Sequence, residues 1–395
     1  MSTATWFVAL SCAASHGCYV LAWLLVVGWW LRHRPWRSGV VPPHGGTGVS
    51  ILKPLCGIED DLERNLASFF ALDHRPLQLV FGAEDPTDPA LELARRLSRR
   101  HRDHDVAIVV GTTSSATSPK VAVLEALLPH ARHGVILLSD SNVRVSTDEV
   151  GRVLPAFADP RVGMVHQPAV GIGEETAAAA IENLHYGELA GFLSTALTVA
   201  TGQHAVNAKG QWVRRSALAE VDDFAGVRDS GADDYALSRL VATAGWKLRL
   251  APVPVRTVHR SWSWRALAQR HLRHSGLRRR LCPAAYPLEL LLNPIPWSVA
   301  LAATEWAPLV PALVGLKVAL EVSAARLLRG TPLAWRHAAL IPLKDLGYFV
   351  GWFASFAIRV VSWRGRRYVI GPGAVLVAAA EPQPAALPRR ARSAL

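Results

Sequence analysis

LLSDSNVRVS, Leu137 to Ser146, decides how this chain is read. A run of aliphatic residues ends in Asp140, Ser141 and Asn142. A strand needs no acid at its tip, but a ligand site at a strand end does. Oxygen-bearing side chains at i and i+2 just past a strand can face one cleft. Hard cations such as Mg²⁺ or Mn²⁺ take oxygen ligands and bridge to phosphates. Asp140 and Asn142 are therefore candidate metal ligands. The same residues also suit a strand-end turn closed by an Asx hydrogen bond, and alone they do not separate the two readings.

Working outward, strand-like and helix-like runs alternate. VSILKP (49–54), LQLVFGAED (77–85), VAIVVG (106–111) and GVILLSD (134–140) read as strands. LERNLASFFAL (62–72), ALELARRLSRR (90–100) and KVAVLEALLPHA (120–131) read as helices between them. Nearly all-apolar strands in such alternation predict an α/β fold with a mostly parallel sheet covered on both faces. Ligands gather at the carboxyl ends of such strands, where Asp85 and Asp140 fall.

Both ends of the chain are built differently. Residues 6–31 carry no Lys, Arg, Asp or Glu, and Trp29 and Trp30 precede Arg32, Arg34 and Arg37. About 20 apolar residues span a bilayer, and an aromatic belt with a basic flank marks the cytoplasmic side. A cleaved signal peptide would carry its charge ahead of the apolar run. His16, inside the span, reads as a helix-interface residue. Beyond residue 283, the stretches 289–306, 308–328 and 340–361 are long and apolar, interrupted by Pro or single charges. They predict two or three membrane helices. A cytoplasmic middle with RGRR (364–367) on the same side requires an even number of C-terminal crossings, so one run is re-entrant or interfacial. The expected organisation is an anchor over 1–36, a Gly/Pro linker over 37–48, a cytoplasmic domain over 49–282, a membrane region over 283–365 and a basic, structureless tail over 366–395.

The bulk numbers agree. Of 395 residues half are hydrophobic, and the formal net charge is +12. Mean hydropathy is +0.19, high for a soluble protein. The basic runs flank apolar spans, which argues for a lipid surface and against nucleic acid. The four cysteines lack metal-binding spacing, and a disulfide scaffold does not suit this composition.

Further candidates lie along the middle. In AEDPTDPA (83–90), Asp85 can accept an imide N–H or a ribose hydroxyl, and Asp88 before Pro89 reads as a helix cap. Lys120 starts a helix, which suits phosphate or solvent. Asp233 and Asp234, in GADDYALSRL, suit a general base or a helix cap. Arg270 and Arg273 share one helix face, as a diphosphate clamp or a lipid-facing basic surface.

The order of these features carries a resemblance. An acid after the second strand, then DSN, then DD, then RxxR before membrane helices resembles the family 2-like glycosyltransferases. It is most similar to the ceramide glucosyltransferase family, family 21, from about Val49 to His274. KPLCGIEDDLERNLASFFALDHRPLQLVFGAEDPTDPA, SPKV, SDSNVRV, VGMVHQP and ADDYAL carry it. The resemblance implies a GT-A domain with one N-terminal and two to three C-terminal membrane helices. It implies a UDP-sugar donor, a divalent metal and a lipid acceptor. Residue by residue, it implies that Asp85 binds uridine and that Asp140 lies by the diphosphate and metal. It implies that Asp234 is the catalytic base beside Asp233, and that His166 contacts the UDP-sugar. Arg270 and Arg273 match the last basic motif, whose Trp is His274 here; imidazole stacks less well, which bears on sugar or acceptor fit. Asp233 stands where the family commonly has Glu.

Glucose transfer from UDP-glucose to ceramide is the leading expectation. Transfer of N-acetylglucosamine to a hopanoid polyol is the near alternative, and a polysaccharide synthase a more distant one. A non-catalytic scaffold or transporter would instead use the apolar-region charges Glu305, Lys317, Glu321, Lys344 and Asp345 as a pathway.

Overall fold

The computed structural model describes residues 2–33, 46–207 and 209–379. Most of the linker read over 37–48, and the tail from 380, fall outside the described residues.

The main sheet holds β1 (Val49–Pro54), β2 (Leu77–Ala83), β3 (Asp105–Val110), β4 (Val135–Leu138), β6 (Val162–His166), β8 (Gln211–Arg214) and β9 (Lys247–Leu250). Its order is β3-β2-β1-β4-β8-β6-β9. All neighbours run parallel except β8, which pairs antiparallel with β4 and β6. Every residue of β1, β2 and β4 is buried, as expected where helices cover both faces. Two apolar cores result. One gathers Phe69, Phe81 and Trp212, and the other Leu52, Val80, Leu127 and Met164.

Local chemistry starts and stops the covering helices. Asp88 caps the helix Pro89–Arg100 through Ala90 N at 2.8 Å, with Pro at the first position and Arg99 and Arg100 in the last turn. These are the favoured termini. Helix Pro119–Leu127 also begins with a proline, which puts Lys120 in its first turn. Asp233 and Asp234 open helix Asp233–Thr243.

A second sheet holds β5 (Val143–Arg144), β7 (Ala169–Ile172) and β10 (Val255–Val258), in the order β5-β10-β7. Helix Ala177–Tyr186 lies on it, and a Cβ on Gly171 would fall 2.5 Å from the Asn183 Cα, so only glycine allows this approach. That helix continues as a π-helical stretch, Gly187–Leu193.

Two helices are long and apolar enough to cross a membrane, Thr3–Arg32 and Ala307–Arg329. They pack together with Phe192 of the π-helical stretch through Tyr19, Val26, Ala324 and Leu328. His16 is an interface residue, with Nε2 3.2 Å from the Leu313 carbonyl. The other two C-terminal apolar runs give helices of 8 residues, Pro294–Leu301, and 14 residues, Ile341–Ala354. Both are shorter than the roughly 20 residues a span needs. Proline at 294, 296, 308 and 311 divides the first run from the second. The region leaves and returns to the sheet domain. Arg329, at the end of the long helix, reaches Glu174 at 2.8 Å.

One expectation is corrected. Residues 366–378 are not the start of a structureless tail. β11 (Val360–Trp363), β12 (Arg366–Ile370) and β13 (Leu376–Ala378) form an antiparallel sheet. Arg364 and Gly365, both at positive φ, make the two-residue turn, and Tyr368 and Ile370 are buried while Arg367 and Val369 are exposed. That is the period-two pattern of a half-buried strand.

Candidate functional site

Asp140 lies two residues beyond β4 and Lys209 two residues ahead of β8. In the ladder Leu138 faces Gln211, and the same register carried on sets Asp140 against Lys209. The Lys209 ammonium contacts Asp140 Oδ2 and Asn142 Oδ1, both at 2.7 Å. Lys120 reaches Asp140 Oδ1 at 3.5 Å and Asp233 Oδ2 at 2.7 Å. Beneath them Lys53, fully buried in β1, donates to the Asp140 carbonyl at 2.7 Å and to Ser139 Oγ at 3.3 Å. Ser141 donates to Glu59 at 2.5 Å. DSN is thus a loop held from three sides.

The electrostatics divide the acids. Burial alone would raise the Asp140 pKa, but Lys120 and Lys209 outweigh it and hold the carboxyl well below its ordinary range. Asp234 goes the other way. Burial first, then the Asp233 charge beside it, push it up to about 6 against the pull of Lys120. Its carboxylate has no ion-pair partner among the described residues, and one oxygen accepts from Tyr235 N at 2.9 Å.

Helix Trp264–Leu281 supplies the opposite wall. Arg270 pairs with the buried Glu182 at 2.7 Å and lies over Trp262 and Tyr186. Arg273 lies over the Trp363 ring at 5.3 Å. Burial and the neighbouring Arg270 lower its pKa, so an anion beside it would relieve an uncompensated charge. Burial, reinforced by Arg270 and Arg273, also lowers His274 and keeps it neutral at pH 7.

These groups line one cavity of about 650 Å³. Lys120, Asp140, Asn142, Lys209, Asp233, Asp234, Arg270, Arg273 and His274 form its charged end. Leu189, Leu193 and Leu197, from the π-helical stretch and the helix after it, and Leu277 and Leu281, from the same helix as Arg270 and Arg273, add an apolar lining. Another hollow, about 700 Å³, lies between Trp29 and Trp246 and contains none of the paired acids.

Two expected residues are not brought there. Asp85 sits past the end of β2, exposed, and accepts from Thr87 N at 2.8 Å and Thr87 Oγ at 2.7 Å. His166 is buried with Nε2 2.8 Å from His204 Nδ1. Burial lowers it to about 3, so it is a neutral strand-end histidine satisfied by a second ring. Lys53, Lys209, Glu59 and Trp363 were not among the site residues expected from the sequence, and Arg364 was read only as part of the basic flank RGRR.

The oxygens suit a hard divalent cation. A carboxylate and an amide oxygen converge on one point, and both are ligand types such ions accept. Lys209 holds that point, so an ion entering there would displace its ammonium.

Strand-end acids on a mostly parallel sheet, facing a basic helix, define the class of fold. It is that of GT-A glycosyltransferases. A mannosyltransferase from Pyrobaculum calidifontis, solved with GDP-Man and Mn²⁺, is similar over 88% of this chain and 98% of its own, with 20% identity and a TM-score of 0.50. The model of Glycosyl transferase family 21 matches residues 11–376, and the chain belongs to that family. It is 25% identical to ceramide glucosyltransferase 3 of Caenorhabditis elegans over 281 residues, 69% of this chain and 58% of that protein. It is 29% identical to the ceramide glucosyltransferase of Komagataella phaffii over 121 residues, 30% of this chain and 24% of that protein. The chain thus spans between about a quarter and three-fifths of the length of these two relatives.

Proposed function

We propose that this protein is a membrane-bound inverting glycosyltransferase that moves glucose from UDP-glucose to the primary hydroxyl of ceramide. The observation that carries this reading is one cavity that joins the charged groups of the site to a lining of leucines. Asp234 stands on that cavity with a carboxylate that no cation among the described residues contacts.

Asp234 acts as the general base. Raised to about 6, it is ionised at neutral pH yet basic enough to take a proton, which is where such a base works best. It takes the hydroxyl proton as the acceptor oxygen bonds to the anomeric carbon. The bond to UDP breaks on the opposite face, and UDP leaves with the electron pair. Lys120, Arg270 and Arg273 stabilise that developing charge. Lys120 also holds Asp233 at 2.7 Å, which keeps the pair's two charges from suppressing each other further. Asp140 and Asn142 would hold a divalent ion, whose chemistry is to neutralise the leaving diphosphate. Asp85, outside this cavity, would meet the uracil only where the donor reaches past the end of β2, after releasing Thr87. The apolar wall confines a lipid whose head group reaches Asp234, and such confinement supplies part of the rate. The sheet domain faces the cytoplasm in this reading, because Arg32, Arg34 and Arg37 follow the first span.

The test is a product assay on membranes containing the full chain, with Mg²⁺ or Mn²⁺. UDP-glucose and UDP-N-acetylglucosamine are offered with ceramide or a hopanoid polyol, and the lipids are read by mass spectrometry. Hexosylceramide that vanishes with Asp234→Asn is the expected result. An N-acetylhexosaminyl hopanoid would replace the substrates and keep the mechanism. Absence of any product and of UDP binding would end the reading.

A further inference from the structure

The last wall of the cavity comes from the small sheet β11-β12-β13. Val361, Trp363, Arg364, Tyr368 and Leu376 all line it. This sheet is stitched to the loop that precedes the acid pair. Leu376 N donates to the Asp229 carbonyl at 2.6 Å, and Gly231 N donates to the Ala374 carbonyl at 2.9 Å. The fit is close at Gly231. A Cβ on Gly231 would lie 2.5 Å from Leu277 and 3.1 Å from Leu376. Trp363 meanwhile lies under Arg273. The sheet therefore has a fixed position over the charged end of the cavity.

Its turn carries Arg364. That residue has φ 50°, a left-handed conformation that non-glycine residues seldom adopt. Gly365 follows at φ 76°, and two such residues make the tight turn that suits a hairpin. Among the described residues, the guanidinium has no hydrogen-bond or ion-pair partner, although it lines a cavity whose other cations nearly all have one. Its charge is felt by both Asp140 and Arg273. A guanidinium left unpaired beside an acid cluster and a second guanidinium has the fork geometry for phosphate oxygens.

We propose that Arg364 binds the diphosphate of the nucleotide-sugar donor, so that the sheet following the membrane helices completes the donor site. This rests on the donor reading above. Arg364 adds a third arginine to Arg270 and Arg273, and all three line the same cavity.

The experiment measures UDP, UMP and uridine binding to the full chain in lipid nanodiscs. Arg364→Asn removes the charge and keeps a residue that tolerates the left-handed turn. Arg364→Lys keeps the charge without the fork. Arg367→Asn, on the exposed side of β12, is the control. Losing one charge-assisted contact predicts about tenfold weaker UDP binding for Arg364→Asn. UMP and uridine should change little, Arg364→Lys should fall between, and Arg367→Asn should match the parent. UDP affinity equal to the parent in Arg364→Asn, with UDP still preferred over uridine, overturns this inference and leaves the donor reading intact. A parent protein that binds UDP no better than uridine overturns both.

Discussion

The protein holds two buried groups of charges, one at the strand tips and one between the apolar helices, and they are built to different ends. At the strand tips, Lys120 and Lys209 face Asp140 and Asp233, and the group opens on a cavity of about 650 Å³. Between the apolar helices, Lys317 meets Glu188 at 2.8 Å and Asp345 at 3.1 Å, and Lys344 meets Glu321 at 2.6 Å and Asp345 at 3.0 Å. Lys344 also contacts Glu188, and Lys317 contacts Glu321. Tyr19 donates to Glu188 at 2.7 Å. The side chains of both lysines are wholly buried. In the second group every charge contacts an opposite one, three carboxylates against two ammonium groups, and the contacts pin the first span, the long C-terminal helix and Ile341–Ala354 to the sheet domain. The first group leaves Asp234 and Arg364 without ionic partners among the described residues. Buried charge marks a site where some of it is unspent. Of the charges that suggested a transport pathway in the sequence, Lys317, Glu321, Lys344 and Asp345 contact one another, while Glu305 lies exposed outside the group.

The sharpest way to break this comparison is to unbalance the closed group. Lys344→Met leaves buried carboxylates uncompensated, which costs about 3–5 kcal/mol. Thermal unfolding in nanodiscs should drop strongly, while the protein that remains folded binds UDP as before. A large loss of UDP affinity in folded protein would mean that the two groups are one device.

In the open group, Asp234→Asn should lower kcat by about 10³-fold, near the middle of what a positioned base supplies, with UDP affinity nearly unchanged. If Asp233→Asn were the more damaging, the roles given to the two neighbours would be reversed. The pH profile sharpens the point. The working form of Asp234 is the carboxylate, and its pKa is pushed up to about 6. Activity should therefore fall as pH drops through about 6, by about tenfold per unit below it. Removing the Asp233 charge should move that acidic limb downward, because a like charge beside Asp234 helps to hold its pKa up. A limb that stays in place would assign it to another group.

The smallest effect belongs to Asp85. It is exposed and already bonded to Thr87, so Asp85→Asn should weaken UDP binding only a few-fold, in the range of one solvated hydrogen bond. A loss of UDP affinity of about a hundredfold would place the acid inside the site.

Much of this was legible in the sequence. The alternating apolar runs gave the strands β1 to β4 and the helices between them, because a sheet buried on both faces leaves an unmistakable hydrophobic signature. DSN, DD and RxxR led to Asp140, Asp234, Arg270 and Arg273, which do converge. Lys209 was hidden because its role depends on a four-residue strand, Gln211–Arg214, that runs against its neighbours. No local pattern announces such a register. Lys53 was hidden by its place inside a strand, where a lone lysine resembles an interruption. The basic RGRR looked like a membrane flank, and its charge masked the alternation that makes β12 a strand. His166 shows the opposite failure. A family motif pointed to the donor, whereas the fold gives that ring His204 as its partner.

The sheet β11-β12-β13 also bears on the order of events during synthesis. Residues 360–378 emerge from the ribosome after both candidate spans, yet they form a wall of the cavity and bond to the loop ahead of Asp233. Until they dock, the cavity lacks that wall. A chain stalled or clipped within the membrane region would hold every acid of the site without the finished cavity. Assembly would thus act as its own inspection, with the site closed only in molecules whose helices are already in place.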